Sequence, residues 1–478
     1  MGCFLLENHA SKYLNQQRKR FIMGVQPKIG LEIHGYLVIP SQKKLFCNCS
    51  LAPADPNTQI CPVCTAQPGS KPMLPNRQAV EAILKIAMFL ECNINEALLW
   101  QRKHYSWPDL PSGYQRTMSG AYSQPVGLNG SFLGIGIEEI HLEEDPARYD
   151  PANGTVDYNR SGYPLVEIVT KPDFTSSQQV RDWIENLMVA LSYIKAVRKD
   201  LGVKCDVNVS IGPKFIRTEV KNVNSFSAIV ESIEFEIKRQ QIEEAKQQTR
   251  AWDEKTGTTL FMRSKETAMD YMFIPDPDLP VIHITDNILQ PIREALPERP
   301  DQKQVKFEKL GLDKIRSEKL SKNLFFANYA EQISEKQPQV PFSFIADRFI
   351  NEIASAIIFE GNPISIKHIE SIIVAFHARD IDNQSMKALL ALVSKGNPEA
   401  LAEIEHTLKS SKHTKQSDDE ILPLVKTAIE ANPKAADDVR KGNDKAINAI
   451  VGHVLGNLKK QGKTADPAVI QKIVRENL

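Results

Sequence analysis

Apolar and polar residues alternate strictly along Ile29-Gly-Leu-Glu-Ile-His34, so Ile29, Leu31 and Ile33 fall on one face of a predicted strand and Glu32 and His34 on the other. The segment Cys205-Asp-Val-Asn-Val-Ser-Ile211 repeats the pattern, with Val207, Val209 and Ile211 opposing Asp206, Asn208 and Ser210. Such strands predict a sheet with one apolar face and one polar, chemically loaded face. Between them, Thr175 and Ser176 with Gln178 and Gln179 read as a capping box. Val180, Trp183, Ile184, Leu187 and Leu191 then keep the spacing of an amphipathic helix. The fold class expected is α+β, with an antiparallel sheet, not a doubly wound one.

Residues 25–295 carry short apolar stretches punctuated by Pro and Gly, whereas residues beyond 305 read mostly as helix. Pro291, Pro297 and Pro300 mark the linker, because each disfavours helix at the residue before it. A polar stretch from Lys409 to Ser417 makes a second break. The expected organisation is an N-terminal extension (1–24), a first domain (25–295), a helical domain (296–407) and a helical tail (408–478). In the tail, Ile447, Ile450, Val451, Val454, Leu455 and Leu458 lie on one helix face, with Lys459, Lys460 and Lys463 at its end. Those lysines are open to two readings, a solvated helix end or a surface for nucleic-acid phosphates.

Length and composition narrow the class. A chain of 478 residues exceeds what one core usually serves. With 42% hydrophobic and 25% charged residues, and a mean hydropathy of -0.32, it reads as globular rather than disordered. No uninterrupted apolar run of membrane-spanning length occurs, so no membrane partner is expected. Lys+Arg and Asp+Glu both total 59, so a nucleic acid would have to be met by a local basic patch. The first 22 residues contain Arg18, Lys19 and Arg20 but no apolar signal core, and Met23 is an equally good start.

Four of the seven cysteines, Cys47, Cys49, Cys61 and Cys64, lie within 18 positions. Two short-spaced pairs separated by eleven residues suit a structural zinc site in a reducing compartment, hence a cytoplasmic protein, better than a disulfide framework. The carboxylates carry the other signal. Glu143, Glu144 and Asp145 follow His141, and Glu167 interrupts the apolar run Pro164-Leu-Val-Glu-Ile-Val169. A buried carboxylate needs a cation, and Arg160, Lys204 and Lys221 would satisfy any one of them by ion pairing. For the set together, a hard-cation site with Mg²⁺ handling nucleotide phosphates is the better account. The chain has no G-x-x-x-x-G-K-[ST] loop, dinucleotide fingerprint, EF-hand loop or nucleophile elbow, so any use of ATP would be without a P-loop.

Several strings closely resemble one family over nearly the whole chain: the GatB family, the B subunits of the tRNA-dependent aspartyl/glutamyl-tRNA(Asn/Gln) amidotransferases. They are Ile29-Gly-Leu-Glu-Ile-His34, Arg102-Lys-His-Tyr-Ser-Trp-Pro-Asp-Leu-Pro111, His141-Leu-Glu-Glu-Asp145, Asp157-Tyr-Asn-Arg-Ser-Gly-Tyr-Pro-Leu-Val-Glu-Ile-Val169, Cys205-Asp-Val-Asn-Val-Ser210, Glu219-Val-Lys-Asn-Val-Asn-Ser-Phe226 and Pro275-Asp-Pro-Asp-Leu279. The resemblance implies a cradle-shaped kinase-like domain, a helical domain and a small helical tail that contacts tRNA. The implied reaction is phosphorylation by ATP of the side-chain carboxylate of Asp or Glu misacylated on tRNA-Asn or tRNA-Gln. Ammonia from a partner amidase, the A subunit of a complex that also holds a small C subunit, then displaces phosphate.

Carried onto this sequence, the resemblance assigns Glu32, His34 and Glu144 to Mg²⁺, with Glu167 and Glu219 as further ligands or their supports. Arg160, Lys204, Lys221 and Asn222 are inferred from charge to face phosphate or substrate, and Asp206 joins them. Gly35-Tyr36 after His34, and Lys204 where the family carries Arg, depart from the usual strings. Two rivals remain: an archaeal homologue dedicated to tRNA-Gln, which carries an extra inserted domain, and a zinc-bearing tRNA adaptor without catalysis.

Overall fold

The computed structural model describes residues 26–198, 203–243, 246–264, 271–356, 364–412, 418–460, 463, 465 and 467–478. The expected extension 1–24 lies outside the described residues. The chain divides into two units, one running to Arg299 and the other starting at Pro300.

The first unit is built on a nine-stranded sheet. Its strands are β1 (Lys28–Tyr36), β2 (Asn93–Ile94), β3 (Gly127–Phe132), β4 (Ile135–Asp145), β5 (Tyr163–Thr170), β6 (Val203–Ser210), β7 (Thr218–Val223), β8 (Gln248–Asp253) and β9 (Thr258–Ser264). They lie in the order β9-β8-β7-β6-β1-β5-β4-β3-β2. Every pairing is antiparallel except β7 with β8, so the expected antiparallel sheet is present. The alternation of β1 is realised: Ile29, Leu31 and Ile33 are buried, as are Val207 and Val209 of β6 beside them. Helix α1 (Arg77–Phe89) contacts β3 and β4, and α3 (Phe226–Ile242) contacts β6, β7 and α2 (Ser177–Tyr193).

Helix α2 starts where its sequence says it should. The Ser176 hydroxyl accepts from the Gln179 backbone N–H at 3.2 Å, and the Gln179 side chain accepts in return from the Thr175 N–H at 2.9 Å. Its apolar stripe places Trp183 edge-on against Phe132 and Phe174, and the indole N–H donates to the Phe132 carbonyl at 2.8 Å. A pair of such aromatic contacts adds roughly 1–3 kcal/mol to the burial of the ring itself. A second, three-stranded sheet joins Gln101–His104, Tyr114–Thr117 and Met272–Pro275.

The second unit is helical in its described residues, and holds two hydrophobic clusters. One gathers Phe307, Ile333, Ile345, Phe349, Ile372 and Leu389. The other, in the tail, gathers Ile421, Val425, Ile450, Val454, Ile470 and Val474. The tail helix Ile447–Lys460 buries Ile447, Ile450, Val451, Val454 and Leu458, the face expected from their spacing. The side chains of Lys459 and Lys460 lie outside the described residues, and Lys463 is half-buried. Among the described residues no helix is long and apolar enough to cross a membrane.

Candidate active site

Strand register puts the acidic residues together. His34 of β1 stands opposite Glu167 of β5, which stands opposite His141 of β4; on the other side Glu32 stands opposite Asp206 of β6. Side chains two apart share a face, so the polar face of β1 becomes the floor of a band running from β4 to β7. Two groups of ligand-type side chains form there. His34, Glu143 and Glu167 bring one donor atom each within 4.8 Å of one another, as do Glu32, Asp206 and Glu219.

In the first group, His34 Nε2 is 3.6 Å from Glu167 Oε1. His141 Nδ1 lies 2.9 Å from the other Glu167 oxygen, and its Nε2 lies 2.8 Å from Glu139. Burial alone would raise the Glu167 pKa, but the His141 hydrogen bond and the nearby imidazoles hold it down at about 2. Burial likewise works against a charged His141, yet hydrogen bonds to Glu139 and Glu167 raise its pKa to about 10. The pair is an imidazolium clamped between two carboxylates. Glu143, bonded by Thr117 and Gln115, is pushed up by burial and by the charge of Glu167. Lys103 and His34 pull the other way without overcoming the rise.

The second group holds an ammonium in direct contact. Lys221 Nζ sits 2.5 Å from Asp206 and 3.0 Å from Glu219, and those carboxylates raise its pKa against the effect of burial. Asn208 donates to Glu32 at 2.9 Å, and Thr249 donates to Glu219 at 2.9 Å. Burial and the Glu167 charge still raise Glu32. Two carboxylates with one imidazole in the first group, and three carboxylates in the second, are donor sets that a hard divalent cation accepts, so both groups fit Mg²⁺.

Glu144 does not join either group. It shares the parity of Ile140 and Leu142 on β4, which point to the apolar face. Its carboxylate accepts from the Arg116 backbone N–H at 3.1 Å and lies 3.2 Å from the Arg116 guanidinium. Arg116 also pairs with Asp276 at 3.0 Å. Glu143, one residue earlier, occupies the place beside His34. Among the described residues, Glu32, His34 and Glu144 therefore form no common ligand group.

Arg160 is held by Asp145 at 3.0 Å and donates to the carbonyls of Pro146 and Ala147 at 3.0 and 2.7 Å. Lys204 is exposed on β6 opposite His34. Asn222 lies on β7, and its side chain is outside the described residues. The departure Gly35-Tyr36 has a steric and a polar reason. A Cβ at Gly35 would meet Val197 Cγ1 at 3.0 Å, and the Tyr36 hydroxyl donates to Asp145 at 2.8 Å.

The four cysteines converge. Cys64 Sγ is 4.0 Å from Cys49 Sγ and 3.9 Å from Cys61 Sγ, and all four sulfurs lie within 4.8 Å of one another. A tetrahedron with Zn–S of about 2.3 Å needs S···S separations of about 3.8 Å, so the donors fit zinc. The Cys64 thiol is lowered to about 4 by hydrogen bonding with Cys47, by the Cys61 N–H and by the Lys44 ammonium. Its bond to Cys64, then burial, raise Cys47, and burial raises Cys49 to about 12. Four crowded thiols resist ionising together unless a cation holds them.

Sequence reasoning counted Glu143 among the carboxylates of a hard-cation site but gave the ligand role to Glu144, and it gave His141 no role. The parity of β4 held the signal, since Ile140 and Leu142 being apolar already sends His141 and Glu143 to the polar side.

Residues 27–290 match the family described as GatB/GatE catalytic domain, and residues 324–478 match the GatB domain. The chain is 37% identical over 469 residues to the B subunit of the aspartyl/glutamyl-tRNA(Asn/Gln) amidotransferase of Methanopyrus kandleri, covering 94% of this chain and 98% of that protein. The protein of the same name from Methanocaldococcus jannaschii is 37% identical over 95% of this chain and 98% of its own length. That from Methanothermobacter thermautotrophicus is 38% identical over 94% of this chain and 100% of its own length. The chain belongs to the GatB family, the B subunits of the aspartyl/glutamyl-tRNA(Asn/Gln) amidotransferases.

Proposed function

We propose that this chain activates and amidates the side-chain carboxylate of Asp or Glu misacylated on tRNA-Asn or tRNA-Gln, as the ligase component of a glutamine-hydrolysing amidotransferase. The observation that carries the reading is the pair of carboxylate groups, His34–Glu143–Glu167 and Glu32–Asp206–Glu219, side by side on one polar sheet face in a member of this family. In this reading the first unit is the kinase-like cradle, and the polar band is its floor.

The chemistry has two steps. A carboxylate oxygen of the aminoacyl group attacks the γ-phosphorus of ATP and ADP leaves; ammonia then attacks the acyl carbon and phosphate leaves. Phosphorylation converts an unreactive carboxylate into an acyl group with a good leaving group. Glu32, Asp206 and Glu219, and His34, Glu143 and Glu167, would hold Mg²⁺, which when bound offsets the charge of the phosphates. His141 keeps Glu167 ionised and aimed at His34. Lys204, exposed opposite His34, is the cation best placed to reach phosphate. Lys221 tempers the second acidic group, Arg160 fixes Asp145, and Asn222 is retained as a substrate contact on its position in β7. Zinc at Cys47, Cys49, Cys61 and Cys64 is structural, because four thiolates leave no ligand position for water.

The partners of this reading are the amidase (the A subunit), the small C subunit and the misacylated tRNA, in a cytoplasmic complex. The archaeal tRNA-Gln-only rival would need a large insertion, whereas this chain spans 98–100% of three B-subunit relatives. The adaptor rival would need neither acidic group. Incubating the reconstituted complex with γ-labelled ATP on Asp-tRNA-Asn and on Glu-tRNA-Gln separates these readings. Transfer of label that depends on this chain is expected on at least one substrate, and no transfer on either would leave the adaptor.

A further inference from the structure

Lys44 is among the largest fully buried side chains of the described residues, 1% exposed, and a buried ammonium requires a nearby negative charge. Its nitrogen lies 3.3 Å from Cys64 Sγ and 3.0 Å from the Tyr158 carbonyl oxygen. Among the described residues it forms no ion pair with a carboxylate. Its stem runs along Gly162, where φ is +83° and an added Cβ would meet Lys44 Cδ at 3.6 Å. The anion within its reach is therefore the sulfur cluster, and two N–H donors converge on Cys64, from Lys44 and from the Cys61 backbone at 3.2 Å.

The same residue touches the turn at 158–162 that leads into β5, the strand carrying Glu167. Beside the Lys44–Tyr158 bond, Ser161 Oγ donates to the Cys64 carbonyl at 2.8 Å, and the Leu45 N–H donates to the Gly162 carbonyl at 2.9 Å. Within that segment Arg160 grips Asp145, and the Gly162 N–H donates to the Asp145 carbonyl at 2.9 Å.

We propose that Lys44 is the internal counter-charge of the four-cysteine centre, and that through Tyr158 it couples the metal knuckle to the turn whose Arg160 holds Asp145 of β4. The inference rests on the zinc reading of the cysteines. A centre of four thiolates and Zn²⁺ carries a net charge of about −2, which is costly to bury; one ammonium hydrogen-bonded to Cys64 halves it. Lys44 is thus a positioning residue and takes no part in the reaction.

The test uses the full-length chain and its Lys44→Met variant, each purified with zinc and, separately, with Co²⁺. Wild type is expected to hold one equivalent of zinc. The variant is expected to release it to a chromophoric chelator at least tenfold faster. Its thiolate-to-cobalt charge-transfer band should move to longer wavelength, because a sulfur without the ammonium holds its electrons less tightly. A packing role alone would not move that band.

If the variant does not fold, alkylation of zinc-loaded wild type decides. Cys47 and Cys64 are 6% and 7% exposed, so steric access is matched, and Cys64 is expected to react several-fold more slowly. Wild type with less than half an equivalent of zinc overturns the zinc reading and this proposal with it. Wild type with full zinc, together with unchanged release and an unmoved band in the variant, overturns the counter-charge alone; so does Cys64 reacting as fast as Cys47 where the variant is unobtainable.

Discussion

At the scale of single residues, the side on which each carboxylate emerges decides its role. Glu143 and Glu144 are adjacent in sequence and chemically identical, yet one accepts from the Thr117 hydroxyl beside His34, and the other grips Arg116 on the opposite side of β4. We expect Glu143→Gln and Glu167→Gln each to lower kcat for ATP-dependent amidation by a factor of about 100 or more, equivalent to at least about 2.7 kcal/mol. Glutamine hydrolysis by the partner amidase should continue, since that chemistry lies on another polypeptide in our reading. Glu144→Gln should instead act on stability. It leaves the buried Arg116 with Asp276 as its remaining acid, and we expect a loss of about 1–3 kcal/mol in denaturant titrations, with amidation reduced less than in the Glu143 variant. Equal loss of kcat in Glu143 and Glu144 variants would return Glu144 to the cation site.

At the scale of elements, polar networks fasten helices to the sheet. Glu236, wholly buried on α3, accepts from Arg239 at 2.8 Å and from Thr259 of β9 at 2.5 Å, and lies 3.3 Å from Arg250 of β8. Burial alone would raise its pKa, but the Arg239 and Thr259 hydrogen bonds bring it below the ordinary value. A group whose pKa is depressed by folding contributes stability above its unfolded pKa, and that contribution is lost as pH falls. The gap in unfolding free energy between wild type and Glu236→Gln should therefore be full at pH 7, on the order of 3–5 kcal/mol for breaking a buried pair. It should narrow steadily below about pH 4.5. A gap independent of pH between 3 and 7 would mean that Glu236 is not ionised in the fold. The four-cysteine knuckle acts on the same scale: in the zinc reading, Cys61→Ser with Cys64→Ser should abolish zinc retention in elemental analysis and open the segment around Tyr158–Gly162 to amide exchange.

At the scale of the whole molecule, the tail has a hydrophobic cluster of its own, which gives it the means to fold as a separate piece. Deleting residues 413–478 should raise KM for aminoacyl-tRNA about tenfold or more, at least about 1.4 kcal/mol, while amidation of saturating substrate with free ammonia is largely retained. An unchanged KM would mean that tRNA is held without the tail. What was legible in the sequence was whatever depends on neighbours along the chain: the two-residue period of β1 and β6, the cap and stripe of α2, the apolar face of the tail helix and the spacing of the four cysteines. Family membership was legible too, because the ordered strings are local. Only the tertiary structure decided which carboxylates meet. Glu32 joins Asp206 and Glu219, and His34 joins Glu143 and Glu167, through register between strands far apart in sequence, and a one-residue change of register or parity sends a side chain to the other face. Nor does any local pattern mark Lys44 as buried against Cys64, since burial of a lysine depends on which sulfur the fold brings to its nitrogen.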